Sequence, residues 1–539
     1  MQSFICKYEF RSIVMDVTSL VIKIIFVLVF FAVMIVIGIL TRKKANSVEG
    51  FVLGGRSAGP WLTAFGFGTS YFSAVVFIGY AGQFGWKYGV SSTWIGIGNA
   101  VIGSLLAWIV LGRRTRVMTK HLNSKTMPEF FGKRFDSKAL RIVAALISFV
   151  FLIPYTSSVY NGLSRLFNMA FNIDYKICII VMAALTCVYV ILGGYMATVV
   201  NDFVQGIIML FGISAVIFAV LQSNGGFISA LTTLSQSPSD IPVTEGMQGA
   251  FTSFFGPDPL NLLGVIVLTS LGTWGLPQMV GKFYAIKDEK SIKAGTVIST
   301  VFAFIVAGGC YFLGGFARLY SGNPEIYKED GSVMFDSIIP TMLKSLPDLL
   351  IGIVIVLVLS ASMSTLSSLV LTSSSTVTLD LIDQIKPGKE VDKAKKEKTQ
   401  LITMRLLLVF FIIVSVLLSL NPPTFIAQLM GYSWGALAGA FLAPFLWGLY
   451  WKKTTKLSVW VCFIAGVGFT VANMIFKFIA SPINAGAVTM VAGLIIVPVV
   501  SLITPKLSSE KVDGIFACYD EKVTIEKKYS LPENAPDEE

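Results

Sequence analysis

Thirteen stretches of about 20 predominantly apolar residues recur along this chain, each long enough to cross a hydrocarbon core about 30 Å thick as a helix. They lie near 19–40, 60–82, 91–111, 140–167, 176–194, 198–221, 260–281, 295–317, 349–380, 402–420, 425–450, 457–478 and 484–503. In lipid every backbone N–H and C=O must be paired internally, so runs of this length select helices. The expected fold class is all-α: a polytopic membrane protein of about 13 transmembrane helices. Of 539 residues, 54% are hydrophobic and 14% charged, which leaves little for a soluble domain. The first run, Val14–Leu40, is too long for a cleaved signal and reads as a span.

The net charge of +11 is a topology signal rather than a nucleic-acid one. Basic residues collect in alternate connections: Arg42-Lys43-Lys44, 112–138, Lys282–Lys293, Lys386–Lys398, Lys452-Lys453 and the tail. The opposite connections, including 223–258, carry few. The positive-inside rule then places the C-terminus in the cytoplasm and the N-terminus outside, which requires an odd number of spans. His121 is the only histidine, and six scattered cysteines (Cys6, Cys178, Cys187, Cys310, Cys462, Cys518) have no ligand spacing. A transition-metal site and histidine catalysis are not expected. No acid–base or nucleophile cluster sits at membrane depth beyond Asp202, so the chain does not read as an enzyme. The Gly-rich Phe51–Pro60 stretch lacks the strand and the Lys-Ser/Thr ending of a phosphate loop.

The span at 349–380 carries an unusual load of hydroxyls. Wound at 3.6 residues per turn, Ala361, Ser364, Thr365, Ser367, Ser368, Thr372 and Ser375 share a face of about 160°, with Leu359, Leu366, Val370 and Val377 opposite. A small-residue face can simply let helices pack closely. The doubled pairs Ser364-Thr365 and Ser367-Ser368 point instead to a hard cation, because neutral oxygens suit an ion that must bind and leave.

Two spans are interrupted. Residues 60–82 contain Gly66, Gly68, Thr69, Ser70 and Ser73, and 260–281 contains Gly272-Thr-Trp-Gly-Leu-Pro277. Broken spans five apart are the mark of an inverted-repeat transporter with its site between them. Pro154 should kink 140–167, and Tyr155 at mid-span should line a cavity. Ile191–Tyr195 reads as a tight turn. Asp202, one turn into the following span, is either a helix-start carboxylate or an ion ligand.

Leu53-Gly-Gly-Arg-Ser57, Gly193-Gly194 with Asn201-Asp202 and Gln205, and Met363-Ser-Thr-Leu-Ser367 together resemble the sodium/solute symporter family over roughly 45–510. Sodium/proline symporters are most similar, then pantothenate symporters. The resemblance implies a leucine-transporter-type inverted repeat (5+5). Its parts would be an external lead (1–18), an extra N-terminal helix (19–44), repeats at 60–221 and 260–450, two further helices (457–503) and a cytoplasmic tail (504–539). The implied activity is sodium-coupled import of a small organic solute across the cell membrane, by a unit for which a monomer suffices, with sodium as the coupling ion and no cofactor. A sensor or channel on the same fold is the alternative.

The resemblance carries a first sodium site onto Thr69, Phe72, Ala361, Ser364 and Thr365. It carries a second onto Asp202, Ser364, Ser367 and Ser368, as in two-ion members. An acid facing hydroxyls at this depth needs a counter-charge, and no Lys or Arg is expected inside the surrounding spans. The implied solute pocket is Tyr71, Ser73, Asn99, Tyr155, Thr273 and Trp274. Tyr71, Val75 and Thr269 replace an Asp and two Trp of the proline pattern, and Tyr71 resembles the pantothenate branch. Leu152 replaces the Arg of sialic-acid members, which argues against an acidic sugar.

Overall fold

The computed structural model describes residues 2–385 and 393–520. Part of the charged connection (386–392) and the end of the tail (521–539) lie outside the described residues. Among the described residues the chain is helical, with two isolated β-bridges, Ala58 to Ile286 and Tyr327 to Val333. The first helix runs Gln2–Thr41, so the expected polar lead is continuous with the first span.

All thirteen apolar stretches fall on helix. By length and apolarity ten helices can cross a membrane, or eleven when Pro259–Gly275 and Pro277–Tyr284 count as one bent span. Local geometry explains the smaller number. The second stretch is cut in two, and its first piece, Pro60–Tyr71, is only 12 residues long. The fifth leaves the short apolar helix Tyr175–Val188. It runs on into the next span through Gly194, whose φ of 54° and ψ of −150° make the expected turn inside Tyr175–Ser223. A Cβ at Gly194 would stand 2.9 Å from the Phe51 ring.

Each break has its own cause. At Phe72 the backbone turns extended (φ −89°, ψ 119°). Ser73 Oγ then accepts the Val75 N–H at 3.2 Å, capping the half-helix that follows. At Leu276 (φ −82°, ψ 123°) the cause is Pro277, which drives the residue before it out of the helical region and supplies a preset first turn after it. The two halves there meet at 46°.

Helices differ in how much of them the protein covers. Ile426–Tyr450 is 89% buried over its most apolar window and Asp348–Ile385 is 78% buried, whereas Leu20–Ala45 is 17% buried. The hydroxyl-bearing helix is therefore central, and the N-terminal helix stands at the edge with its apolar side chains free for lipid.

Candidate ion and solute sites

The helix Asp348–Thr376 lays its hydroxyl face against the break at Phe72. Ser364 Oγ donates to Thr69 O at 3.0 Å and lies 3.1 Å from Ala361 O. Thr365 Oγ1 lies 3.1 Å from Ala361 O, 3.3 Å from Phe72 O, and 3.4 Å from both Thr69 O and Ser70 O. One hydroxyl has one hydrogen, so it cannot serve four carbonyls. Acceptors thus outnumber donors in a spot where Thr69, Ala361, Ser364 and Thr365 have no exposure at all. Five neutral oxygens converging in this way fit a small hard cation without a fixed counter-charge. Thr69, Phe72, Ala361, Ser364 and Thr365, separate in sequence, meet here.

The second expected constellation is joined by no hydrogen bonds among the described residues. Ser367 Oγ donates to Ser364 O at 2.9 Å, and Ser368 Oγ pairs with Ser70 Oγ at 2.9 Å. Asp202 Oδ2 accepts from Lys282 Nζ at 3.1 Å. Asp202 is fully buried, Lys282 is 2% exposed, and no hydrogen bond joins Asp202 to Ser364, Ser367 or Ser368 among the described residues. The pair lies over the bare backbone of Gly66, where a Cβ would stand 3.4 Å from Asp202 Oδ2 and 3.6 Å from Lys282 Nζ. Lys282 Nζ also sits 5.5 Å from the Tyr195 ring centre. This corrects the expectation that no basic side chain enters these spans. Lys282 reads in sequence as the first residue of a basic connection. Because Pro277 restarts the helix, it falls instead on the half-helix Pro277–Tyr284, facing the core.

Part of the expected solute pocket comes together around a residue the motifs did not indicate. The rings of Tyr71 and Tyr155 stand 6.0 and 5.9 Å from that of Trp434. Tyr155 Oη lies beside Ser73. Tyr71 Oη donates to Thr269 O at 3.2 Å, and Thr269 Oγ1 lies 2.9 Å from Asn99 Oδ1 and 2.8 Å from Val265 O. Thr273 and Trp274 turn away: Thr273 Oγ1 donates to Gly103 O at 2.9 Å and Trp274 Nε1 to Ile102 O at 3.0 Å. They hold the broken helix to its neighbour.

A profile of the sodium:solute symporter family matches residues 51–466. The chain belongs to that family. Among similar proteins, the osmoregulated proline transporter OpuE of Bacillus subtilis (strain 168) is 30% identical over 515 residues, 93% of this chain and 98% of that protein. A sodium/proline symporter of Staphylococcus aureus (strain JH9) is 28% identical over 495 residues, 90% and 93% of the two. The fold is similar to that of a substrate-bound, outward-open Na+-coupled sialic acid symporter. The TM-score is 0.73, at 17% identity, over 90% of this chain and 99% of the other. A nucleobase-cation-symport-1 family transporter follows, with a TM-score of 0.52 at 12% identity, over 86% and 98%. The fold is the leucine-transporter type, and this symporter is a sodium-coupled, multi-pass membrane transporter rather than an enzyme. The sensor or channel alternative falls away with the family assignment.

Two side chains of the symporter's centre escaped sequence reasoning. Trp434 did leave a signal. It is the bulkiest side chain in the small-residue stretch Gly431–Ala440, and a Cβ at Gly272 would lie 2.4 Å from its ring. Lys282 left none, since its partner is 80 positions away. A cavity of about 50 Å³ reaches toward both ion regions from the basic end, lined by Tyr195, Gln278, Lys282 and Ser368 among others. Below it, Arg141 Nε meets Asp380 Oδ1 at 2.6 Å, and Thr126 Oγ1 donates to Asp380 Oδ2 at 2.5 Å. These contacts tie the connection before Lys138, and the start of the helix after it, to the end of the hydroxyl helix.

Proposed function

We propose that this symporter imports a small amino acid of the proline type together with one sodium ion, held by the oxygens of Thr69, Phe72, Ala361, Ser364 and Thr365. The observation that carries the ion assignment is the surplus of acceptors around Thr365 Oγ1, four carbonyls for one hydrogen. The solute lies among Tyr71, Ser73, Asn99, Tyr155 and Trp434, with Thr273 and Trp274 behind it as support. No charged side chain is among them, and the positive dipole end of the half-helix beginning after Ala74 favours a carboxylate nearby. The two named relatives are proline transporters, which supports the amino-acid reading.

The second sodium that Asp202, Ser364, Ser367 and Ser368 would hold is replaced by the Lys282 ammonium. Asp202 is already neutralised by a charge that cannot leave. Each translocated charge contributes about 2.3 kcal/mol per 100 mV, so one sodium supports a roughly 50-fold solute gradient from voltage alone. The N-terminus faces outward and the C-terminus the cytoplasm, in the plasma membrane. Residues 60–221 and 260–450 act as the two five-helix repeats, and the monomer is the transporting unit.

The test is uptake of labelled L-proline and of labelled pantothenate into proteoliposomes, with and without an inward sodium gradient. Sodium-driven proline uptake with a reversal potential giving one sodium per solute is the expected result. Uptake of pantothenate alone would assign the solute to the branch that Tyr71 resembles, and a ratio of two would overturn the Lys282 argument. Cysteines placed in 223–258 should label from outside and one at Lys398 only after permeabilisation; the reverse pattern would invert the topology.

A further inference from the structure

A groove of about 580 Å³ lies between four spans, Lys138–Phe171, Lys393–Leu420, Ile426–Tyr450 and Lys456–Phe476, near the turns at 421–425 and 477–481. Its inner walls are apolar: Val150, Phe151, Pro154, Leu418 and Met474. Val150 is 51% and Met474 54% exposed, and Leu417, next to Leu418, is 63% exposed. Exposed apolar side chains on helices of membrane length meet lipid, so the groove opens sideways onto hydrocarbon. Water finds few partners on such walls, and an empty space leaves the lining without contacts on one side. An acyl chain supplies them.

The rim is different in kind. Lys477 is the only charged residue in the lining. It ends its helix at φ 53°, with its N–H donated to Asn473 O at 2.9 Å. The Asn473 side chain clamps the turn that follows: Oδ1 accepts the Ile479 N–H at 2.7 Å, and Nδ2 donates to Ile479 O at 3.0 Å. The backbone that carries the Lys477 ammonium is thus fixed, yet the side chain is exposed and makes no ion pair among the described residues. Thr424 Oγ1 donates to Gln428 Oε1 in the same lining. A polar, cationic rim above an apolar interior follows the order of groups along a phospholipid.

The back of the groove is also the back of the central pocket. Ser433 Oγ donates to Phe151 O at 2.5 Å and joins the two helices there. Pro154 and Tyr432 line the groove, while Tyr155 and Trp434, both buried, meet with ring centres 5.9 Å apart.

We propose that this groove is a phospholipid site, with an acyl chain along Val150, Phe151, Leu418 and Met474 and the phosphodiester on the Lys477 ammonium. The chain backs the wall that holds Tyr155 against Trp434, so the lipid is a structural ligand of the transporter. The site is independent of which solute the centre carries.

The experiment is native mass spectrometry of the purified full-length protein in detergent. It is titrated separately with palmitoyl-oleoyl-phosphatidylglycerol, with dioleoylglycerol, which has chains and no phosphate, and with inorganic phosphate. Phosphatidylglycerol should bind about tenfold more tightly than dioleoylglycerol, and inorganic phosphate should not displace it. Lys477→Gln should weaken phosphatidylglycerol about fivefold and leave dioleoylglycerol within about twofold. Val150→Trp fills the groove from a side chain that already faces lipid, so the fold is kept, and it should weaken both lipids about tenfold. Ile464→Trp, at a position 67% exposed on the same kind of surface but outside the groove, should change neither. Equal lipid retention in the wild type and all three variants would overturn the site, since the lipid would then be held anywhere around the bundle. Loss in Lys477→Gln with full retention in Val150→Trp would also overturn it, because the contact would be an ion pair outside the groove. Displacement by inorganic phosphate would overturn it in favour of a plain anion site.

Discussion

Two oxygen-rich regions meet near the first helix break, and they resolve opposite problems. At Ser364 and Thr365 every group is neutral, and carbonyls freed by the break crowd around hydroxyls with too few hydrogens to serve them. On the half-helix side, the Asp202 carboxyl has a tethered partner, Lys282 Nζ, at 3.1 Å. A coupling ion must be released on the far side in each cycle, so it needs ligands whose desolvation cost stays low when it departs. A buried carboxylate cannot be left alone at all. What the difference teaches is that polarity in a span does not identify an ion site: in the proposed function the hydroxyls hold a place for a cation that moves, whereas the acid already faces an ammonium.

Breaking the charged side of the comparison should have the largest effect. Asp202→Asn and Lys282→Met each leave one buried charge unpaired, at a cost of about 3–5 kcal/mol, whereas the double variant should recover most of the loss. Thermal unfolding of the detergent-solubilised protein measures this. Equal stability of all four proteins would mean that the pair is not coupled.

Next in size is the neutral side. Thr365→Ala should raise the sodium concentration for half-maximal uptake by roughly tenfold, since a ligand worth about 1–3 kcal/mol is removed, and Thr365→Ser should stay near wild type. Uptake kinetics at varied sodium and saturating solute decide it; equal sodium dependence in Thr365→Ala would reduce the hydroxyl to packing.

A smaller effect separates the ion from the solute. Tyr71→Phe removes the hydrogen bond to Thr269 O, with about 1 kcal/mol at stake. It should raise the half-saturating solute concentration roughly fivefold and leave sodium activation as it was. A shift in sodium activation alone would move Tyr71 from the solute pocket to the ion site.

The smallest effect is expected at Ser367. Its hydroxyl is already satisfied on Ser364 O within its own helix, so Ser367→Ala should change sodium activation by less than about twofold. A shift as large as that of Thr365→Ala would bring the second ion back and with it the role of Ser367 as a ligand.

The recurring apolar runs and the two interrupted spans were enough, by themselves, to point to a helical membrane transporter with two broken spans. They are local properties: an apolar run of membrane length, a proline that forbids helix at the residue before it, and a hydroxyl face set by 3.6 residues per turn. The hydroxyl face that carries Ser364 and Thr365 was legible for the same reason, since one face of one helix holds it; its meeting with Thr69 and Phe72 was implied only by the family resemblance. The partners of Asp202 and of the two tyrosines were not. Lys282 reads as a loop residue until Pro277 aims its half-helix inward, and Trp434 reads as a packing residue until its helix is set between Tyr71 and Tyr155. Those meetings depend on the angle and depth at which separate helices cross, and no periodicity within a single helix encodes them; only the packed bundle decided that the acid would face an ammonium.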